Sequence, residues 1–121
     1  MPDIREVAHA FMRLLKEGRF DEAAETFNAA DIVSLEPFTG EGSRVEGAAA
    51  VRAKSEWWAA NHEVHAFEAQ GPFLNGDQFA LTFKGSITVK ATGERITVDE
   101  VGLYTVRDGK IVEERFYYDT P

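Results

Sequence analysis

ERITVDEVGLYTVRDGKIVEERFYYDTP, running from Glu94 to Pro121, decides how this chain folds. It reads as a long strand, a tight turn and a second long strand. Arg107-Asp108-Gly109-Lys110 supplies the turn, because an Asp-Gly pair between β-formers is a strong short-range hairpin signal. Two pairings follow from two loop lengths. A three-residue loop sets Glu100 opposite Phe116 and Gly102 opposite Glu114. Glu100, Tyr104, Glu114, Phe116 and Tyr118 then share one face. A two-residue loop instead sets Glu100 opposite Tyr117 and Asp99 opposite Tyr118. Polar groups on strands that must cover a core are either edge decoration or the lining of a cavity. The second is the expectation here.

Upstream of the hairpin the pattern stays at period two. Phe79, Leu81, Phe83, Ile87 and Val89 alternate along one strand, the spacing of a half-buried sheet. Leu74-Asn75-Gly76-Asp77 turns back to a strand over Val64 to Gln70. Earlier still the period is helical. Ile4, Val7, Ala8, Phe11, Met12 and Leu15 form one apolar stripe, opened by an Asp3/Glu6 capping box and stopped at Gly18. A short helix is expected from Asp21 to Asn28, folding back on the first. Ile32 to Glu36 is a short strand ended by Pro37, and Phe38 to Glu46 a loop. A third helix is expected over Gly47 to Ala60. Its adjacent Trp57 and Trp58 point about 100° apart, so one is expected on the sheet and the other on a second surface.

Helices first and consecutive antiparallel strands afterwards define an α+β fold. The expectation is a curved four- to five-stranded, mainly antiparallel sheet wrapped around three N-terminal helices. Strands this long twist and coil, which leaves a conical hollow. At 121 residues the chain is expected to form a single domain over 1–121.

The net charge of −8 and the lack of any Lys/Arg run argue against nucleic acid and anionic membrane as partners. Without cysteine there is no disulfide or thiol chemistry. The N-terminal residues lack a signal-peptide pattern, and no apolar run reaches the length of a spanning helix, so a cytoplasmic location is expected. His62 and His65, three apart on a strand, fall on opposite faces and do not make a metal clamp. Neither a metal nor a cofactor is expected.

Three places carry a resemblance to a known family. Glu36-Pro37 closes the first short strand, with a glycine soon after. Glu46-Gly47 leads into a helix containing Val51-Arg52. Asp99 to Asp119, DEVGLYTVRDGKIVEERFYYD, forms the terminal hairpin. With the element order, these resemble the SnoaL-like proteins of the nuclear transport factor 2-like superfamily along essentially the whole chain. The resemblance implies a cone-shaped apolar pocket and a homodimer through the outer face of the sheet. It also favours the pairing that turns Glu114, Phe116 and Tyr118 inward, with Glu100 near the place where such cyclases and isomerases keep a functional acid. Glu36 matches the place of the isomerase-like general base.

Two carboxylates in an apolar cone have a use. Desolvation and mutual repulsion raise a carboxyl pKa, so one group can take a proton next to a carbonyl while the other stays protonated and donates to the enolate. The expected catalytic residues are Glu36 as base and Glu100 as acid or orienting partner. Phe11, Leu15, Trp58, Tyr104, Glu114, Phe116 and Tyr118 are expected around a small apolar ligand. Equally ordinary alternatives stand beside this. Glu36, Glu100 and Glu114 can face solvent or a dimer contact, and the tyrosines can simply pack. There is also a departure. Isomerase-like relatives place an oxyanion-binding tyrosine on the first helix, where Phe11 stands here. Phenylalanine donates no hydrogen bond, which argues against a ketosteroid isomerase proper. A non-catalytic apolar-ligand-binding or dimerisation module of the same fold is the competing expectation.

Overall fold

The computed structural model describes residues 3–119. Helix α1 spans Ile4–Lys16, and the Glu6 N–H donates to Asp3 Oδ1 at 2.9 Å, so the cap expected from the sequence forms. Helix α2 spans Phe20–Phe27 and β1 Asn28–Leu35. Next come β2, Arg44–Glu46, and α3, Ala48–Asn61. Four long strands follow: β3 His62–Asn75, β4 Gln78–Val89, β5 Arg95–Arg107 and β6 Lys110–Tyr117.

The six strands make one sheet in the order β2-β1-β6-β5-β4-β3. This exceeds the expected four to five because β2 forms inside the segment read as a loop. The extra strand is short and Gly-flanked, so it shows little periodicity. It pairs Val33 with Glu46 and Leu35 with Arg44. All neighbours are antiparallel except β1 and β6, which run parallel and set the first strand beside the last.

The terminal hairpin corrects both pairings considered above. Arg107 pairs with Lys110, so the loop has two residues, with Asp108 and Gly109 both at positive φ (54° and 76°). A bulge then follows: Val106 pairs with Ile111, but Thr105 pairs with Glu113. The extra residue, Val112, shifts the ladder by one. Gly102 therefore faces Phe116 and Tyr104 faces Glu114. A shift of one from the tight turn, added to one from the bulge, changes partners but restores the face. Beyond the bulge, Glu114 and Phe116 do share a face with Gly102 and Tyr104. Ahead of the bulge the faces are exchanged, and Ile111 becomes fully buried opposite Val106.

The helices cover the face that carries Phe79, Leu81 and Phe83. Phe11 of α1 meets Phe27 (6.2 Å between ring centroids), Phe79 (6.0 Å) and Tyr104 (5.1 Å), all edge-on. Phe79 and Tyr104 stack at 4.9 Å. These rings occupy the middle of the sheet, where a hollow was expected. Phe11 and Leu15 are core residues there, 6% and 7% exposed. Trp57 and Trp58 also depart from expectation. Both are exposed, 62% and 40%, and both pack on His62, with Trp58 stacked at 4.5 Å. They lie at the C-terminal end of α3, past the sheet's buried rows, so neither enters the core. Among the described residues no helix is long and apolar enough to cross a membrane.

Candidate functional site

Beside the ring cluster, three strands and one helix bring charges together. On β1, Ile32, Ser34 and the residue after its end, Glu36, alternate onto the helix-covered face. Ser34 pairs with Glu114 across the parallel β1–β6 ladder, so these two side chains meet. Glu100 of β5 pairs with Phe83 on the same face. From the other side α3 supplies Lys54, one turn beyond buried Val51.

Lys54 organises the group. Its Nζ lies 2.9 Å from Glu36 Oε1 and donates to Ser34 Oγ at 2.7 Å. The Ser34 hydroxyl donates onward to Glu114 Oε2 at 2.7 Å. Tyr118 OH donates to the other oxygen of Glu36 at 3.1 Å. The ammonium also sits 5.5 Å from the centre of the Phe116 ring. The Lys54 and Glu36 side chains are 24% and 14% exposed, well below the exposure of the other ion pairs of the chain. Pairs such as Arg52 with Glu25 and Glu56 are half in water and contribute little.

Glu100 stands apart. Among the described residues no hydrogen bond holds its carboxyl, and burial together with the Glu36 carboxylate pushes it up to about 7, while Lys54 pulls the other way. Burial also raises Glu114, against the Ser34 hydrogen bond and the Lys54 charge. Tyr118 is raised by desolvation and then by Glu36. Tyr104, which pairs with Glu114 across the β5–β6 ladder, is raised by desolvation, then by Glu114 and Glu100. That residue is 2% exposed, and its ring is fixed between Phe79, Phe11 and Phe116. Gly102 makes room for it: a Cβ there would stand 2.9 Å from the Tyr104 hydroxyl and 3.0 Å from Phe83.

The family can now be stated. A family model for the SnoaL-like domain matches residues 3–118. The chain belongs to the SnoaL-like domain family. A solved structure from Mesorhizobium loti, described provisionally as a SnoaL-like polyketide cyclase with carbohydrate phosphatase in brackets, is 56% identical. It covers 97% of this chain and 100% of its own, with a TM-score of 0.94. Two more distant structures share the fold. One from Bacillus subtilis, provisionally an isomerase, is 24% identical over 94% of this chain and 84% of that one, TM-score 0.73. One from Jannaschia sp. CCS1, provisionally a SnoaL-like polyketide cyclase, is 17% identical over 97% and 88%, TM-score 0.76. No curated protein matches the sequence.

Set on this SnoaL-like scaffold, the expected site residues divide. Glu36, Glu100, Glu114 and Phe116 gather around Lys54, with Tyr118 bonded to Glu36 and Tyr104 packed against Phe116. Phe11 and Leu15 lie in the core beneath them, and Trp58 stacks on His62. Sequence reading missed Lys54 and Ser34. A signal existed for each. Lys54 interrupts the helical row Val51, Lys54, Trp58, and Ser34 sits between Ile32 and Glu36 at strand spacing. Both read as ordinary polar positions until the partner strand is known. Among the described residues no group of three His, Asp or Glu side chains is arranged to hold a metal ion. An open groove is bordered by Lys16 and the segment Phe67 to Gly71.

Proposed function

We propose that this SnoaL-like chain is an enzyme of the cyclase or isomerase type, moving a proton next to the carbonyl of a small, largely apolar compound. The observation that carries this is Glu100: a half-buried carboxyl with no hydrogen-bond partner among the described residues, titrating at about 7. Such a group both accepts and returns a proton at neutral pH. In the step, a Glu100 oxygen takes the proton from the carbon beside the carbonyl. The C–H electron pair moves into the carbonyl to form an enolate, whose oxygen receives a hydrogen bond from Tyr104. The proton then returns from Glu100 to carbon. This assigns the base role to Glu100 and gives Glu36, tied to Lys54 and Tyr118, the part of the fixed negative charge beside it.

An apolar surface supports the ligand class. Val64, Phe67 and Ile96 stay exposed on the helix-covered face, and Phe67 stacks on Phe83 at 5.6 Å, next to Glu100. The provisional polyketide-cyclase part of the M. loti description supports this reading. On the opposite face Phe73, Val101 and Tyr117 are exposed, and a homodimer through that face is proposed with them.

The test is proton exchange. A panel of cyclic ketones and aromatic polyketides is incubated with the protein in deuterated water, and exchange beside the carbonyl is followed by NMR. Exchange is expected for at least one compound and is lost in Glu100→Gln. Exchange that survives this change refutes the mechanism.

A further inference from the structure

We propose that Lys54 is the positioning residue of the site: reaching in from α3, it engages Glu36 directly and Glu114 through Ser34, and so leaves Glu100 as the one carboxyl of the three free to exchange its proton. This rests on the reading of Glu100 as the proton-transfer group.

Three acids crowd one small region, contributed by β1, β5 and β6. Left alone, they would share protons among themselves as one coupled system, and no single one would have a defined task. A single cation placed unequally among them breaks that symmetry. Lys54 is within direct contact of Glu36, at 2.9 Å, and reaches Glu114 by two bonds of 2.7 Å each through the fully buried Ser34. It makes no such contact with Glu100. The stem of Lys54 is held as well, since its ammonium lies over Phe116 and the chain leaves a helix turn anchored by buried Val51. The groups that act on Glu100 are thus Glu36 from the end of β1 and Lys54 from α3, with Tyr104 on its own strand and Tyr118 past the end of β6 close by. Of these, Glu36 raises its proton affinity and Lys54 lowers it. Because Lys54 spends its hydrogen bonds on Glu36 and Ser34, its effect on Glu100 is electrostatic only.

Carbon-13 NMR of the labelled glutamate carboxyls, titrated from pH 5 to 9, reads this without any substrate. The wild-type Glu100 signal is expected to titrate near neutrality. Lys54→Met, which keeps the stem and removes the charge, is expected to move that midpoint upward by about half a unit or more. Glu36→Gln is expected to move it downward, and Lys54→Arg to restore it towards the wild-type value. Ser34→Ala, which cuts only the branch to Glu114, is expected to leave Glu100 in place and to raise Glu114. An unchanged or lowered Glu100 midpoint in Lys54→Met overturns the proposal, as does a Ser34→Ala effect on Glu100 equal to that of Lys54→Met. Should Lys54→Met fail to fold, the lysine ammonium resonance of the intact protein decides instead. Slow hydrogen exchange that is lost in Glu36→Gln supports the clamp, and fast exchange in the wild type refutes it. The outcome is separate from the deuterium-exchange test. A protein that shows these titrations but exchanges no ketone has lost its proposed reaction and kept its charge arrangement.

Discussion

Replacing Glu100 by Gln is expected to stabilise the protein in alkaline solution and to leave it nearly unchanged in mild acid. The unfolded chain ionises this carboxyl at its ordinary value of 4.5, whereas the folded chain does so at about 7. Below pH 4.5 both states hold the proton, and the group's contribution is fully present. Between the two values the folded state binds one proton more, so stability falls as pH rises. Each unit is worth about 1.4 kcal/mol, so a separation of about 2.5 units amounts to roughly 3.4 kcal/mol. Water reaches the half-buried group and trims the loss to about 2–3 kcal/mol. Glutamine resembles the neutral acid in shape and does not titrate. Urea unfolding of both proteins at pH 5, 6, 7, 8 and 9 measures the difference directly. The curves are expected to lie close at pH 5 and to separate through pH 7. Above pH 8 the variant is expected to be the more stable by about 2–3 kcal/mol, at equal dependence on urea. Glu114 is also raised, but it titrates in both proteins and largely cancels. A constant gap from pH 5 to 9, or a variant less stable at pH 8.5, refutes the account of Glu100 as a desolvated acid.

Four further outcomes follow from packing and backbone geometry. Gly85→Ala is expected to cost about 3 kcal/mol or more, because its Cβ would stand 2.1 Å from the Ala66 carbonyl oxygen and the β3–β4 ladder would have to open. Gly102→Ala meets only the Tyr104 tip and Phe83, at 2.9 to 3.0 Å, so a smaller loss in melting temperature and a shifted tyrosine fluorescence are expected. Phe79→Ala removes a fully buried ring that stacks on Tyr104 and is expected to cost about 3–5 kcal/mol in urea unfolding. Gly109→Ala places a side chain at φ +76° in the terminal turn, and a loss of about 1–2 kcal/mol is expected, read by the same assay.

The elements themselves were legible in local pattern. The apolar stripe of α1 follows helical spacing because a helix with one buried face needs it. The run Phe79, Leu81, Phe83 follows strand spacing for the same reason. The position of the Asp108-Gly109 turn was legible too, since an Asp-Gly pair readily adopts turn conformations, but its length was not: the loop has two residues where the favoured pairing had three. The bulge at Val112 was not legible either. Nothing in Ile111-Val112-Glu113 distinguishes a bulged from a regular strand, because the extra residue is selected by what the opposite strand must bury, here Val106 against Ile111. Strand β2 escaped for a related reason: three residues carry too little periodicity to register, and only its partner β1 gives them a place.

By itself, then, the amino-acid order determined where backbone hydrogen bonds would be helical or laddered, and which faces were apolar, for these depend on neighbours a few residues apart. Which charges meet depends on positions 18 to 82 residues apart, as from Lys54 to Glu36 and Tyr118 to Glu36, and was decided only when β1 and β6 lay parallel under α3. Desolvation and Coulomb forces act through space and not along the chain. The same glutamate is an ordinary surface acid or a proton carrier according to what tertiary packing brings beside it.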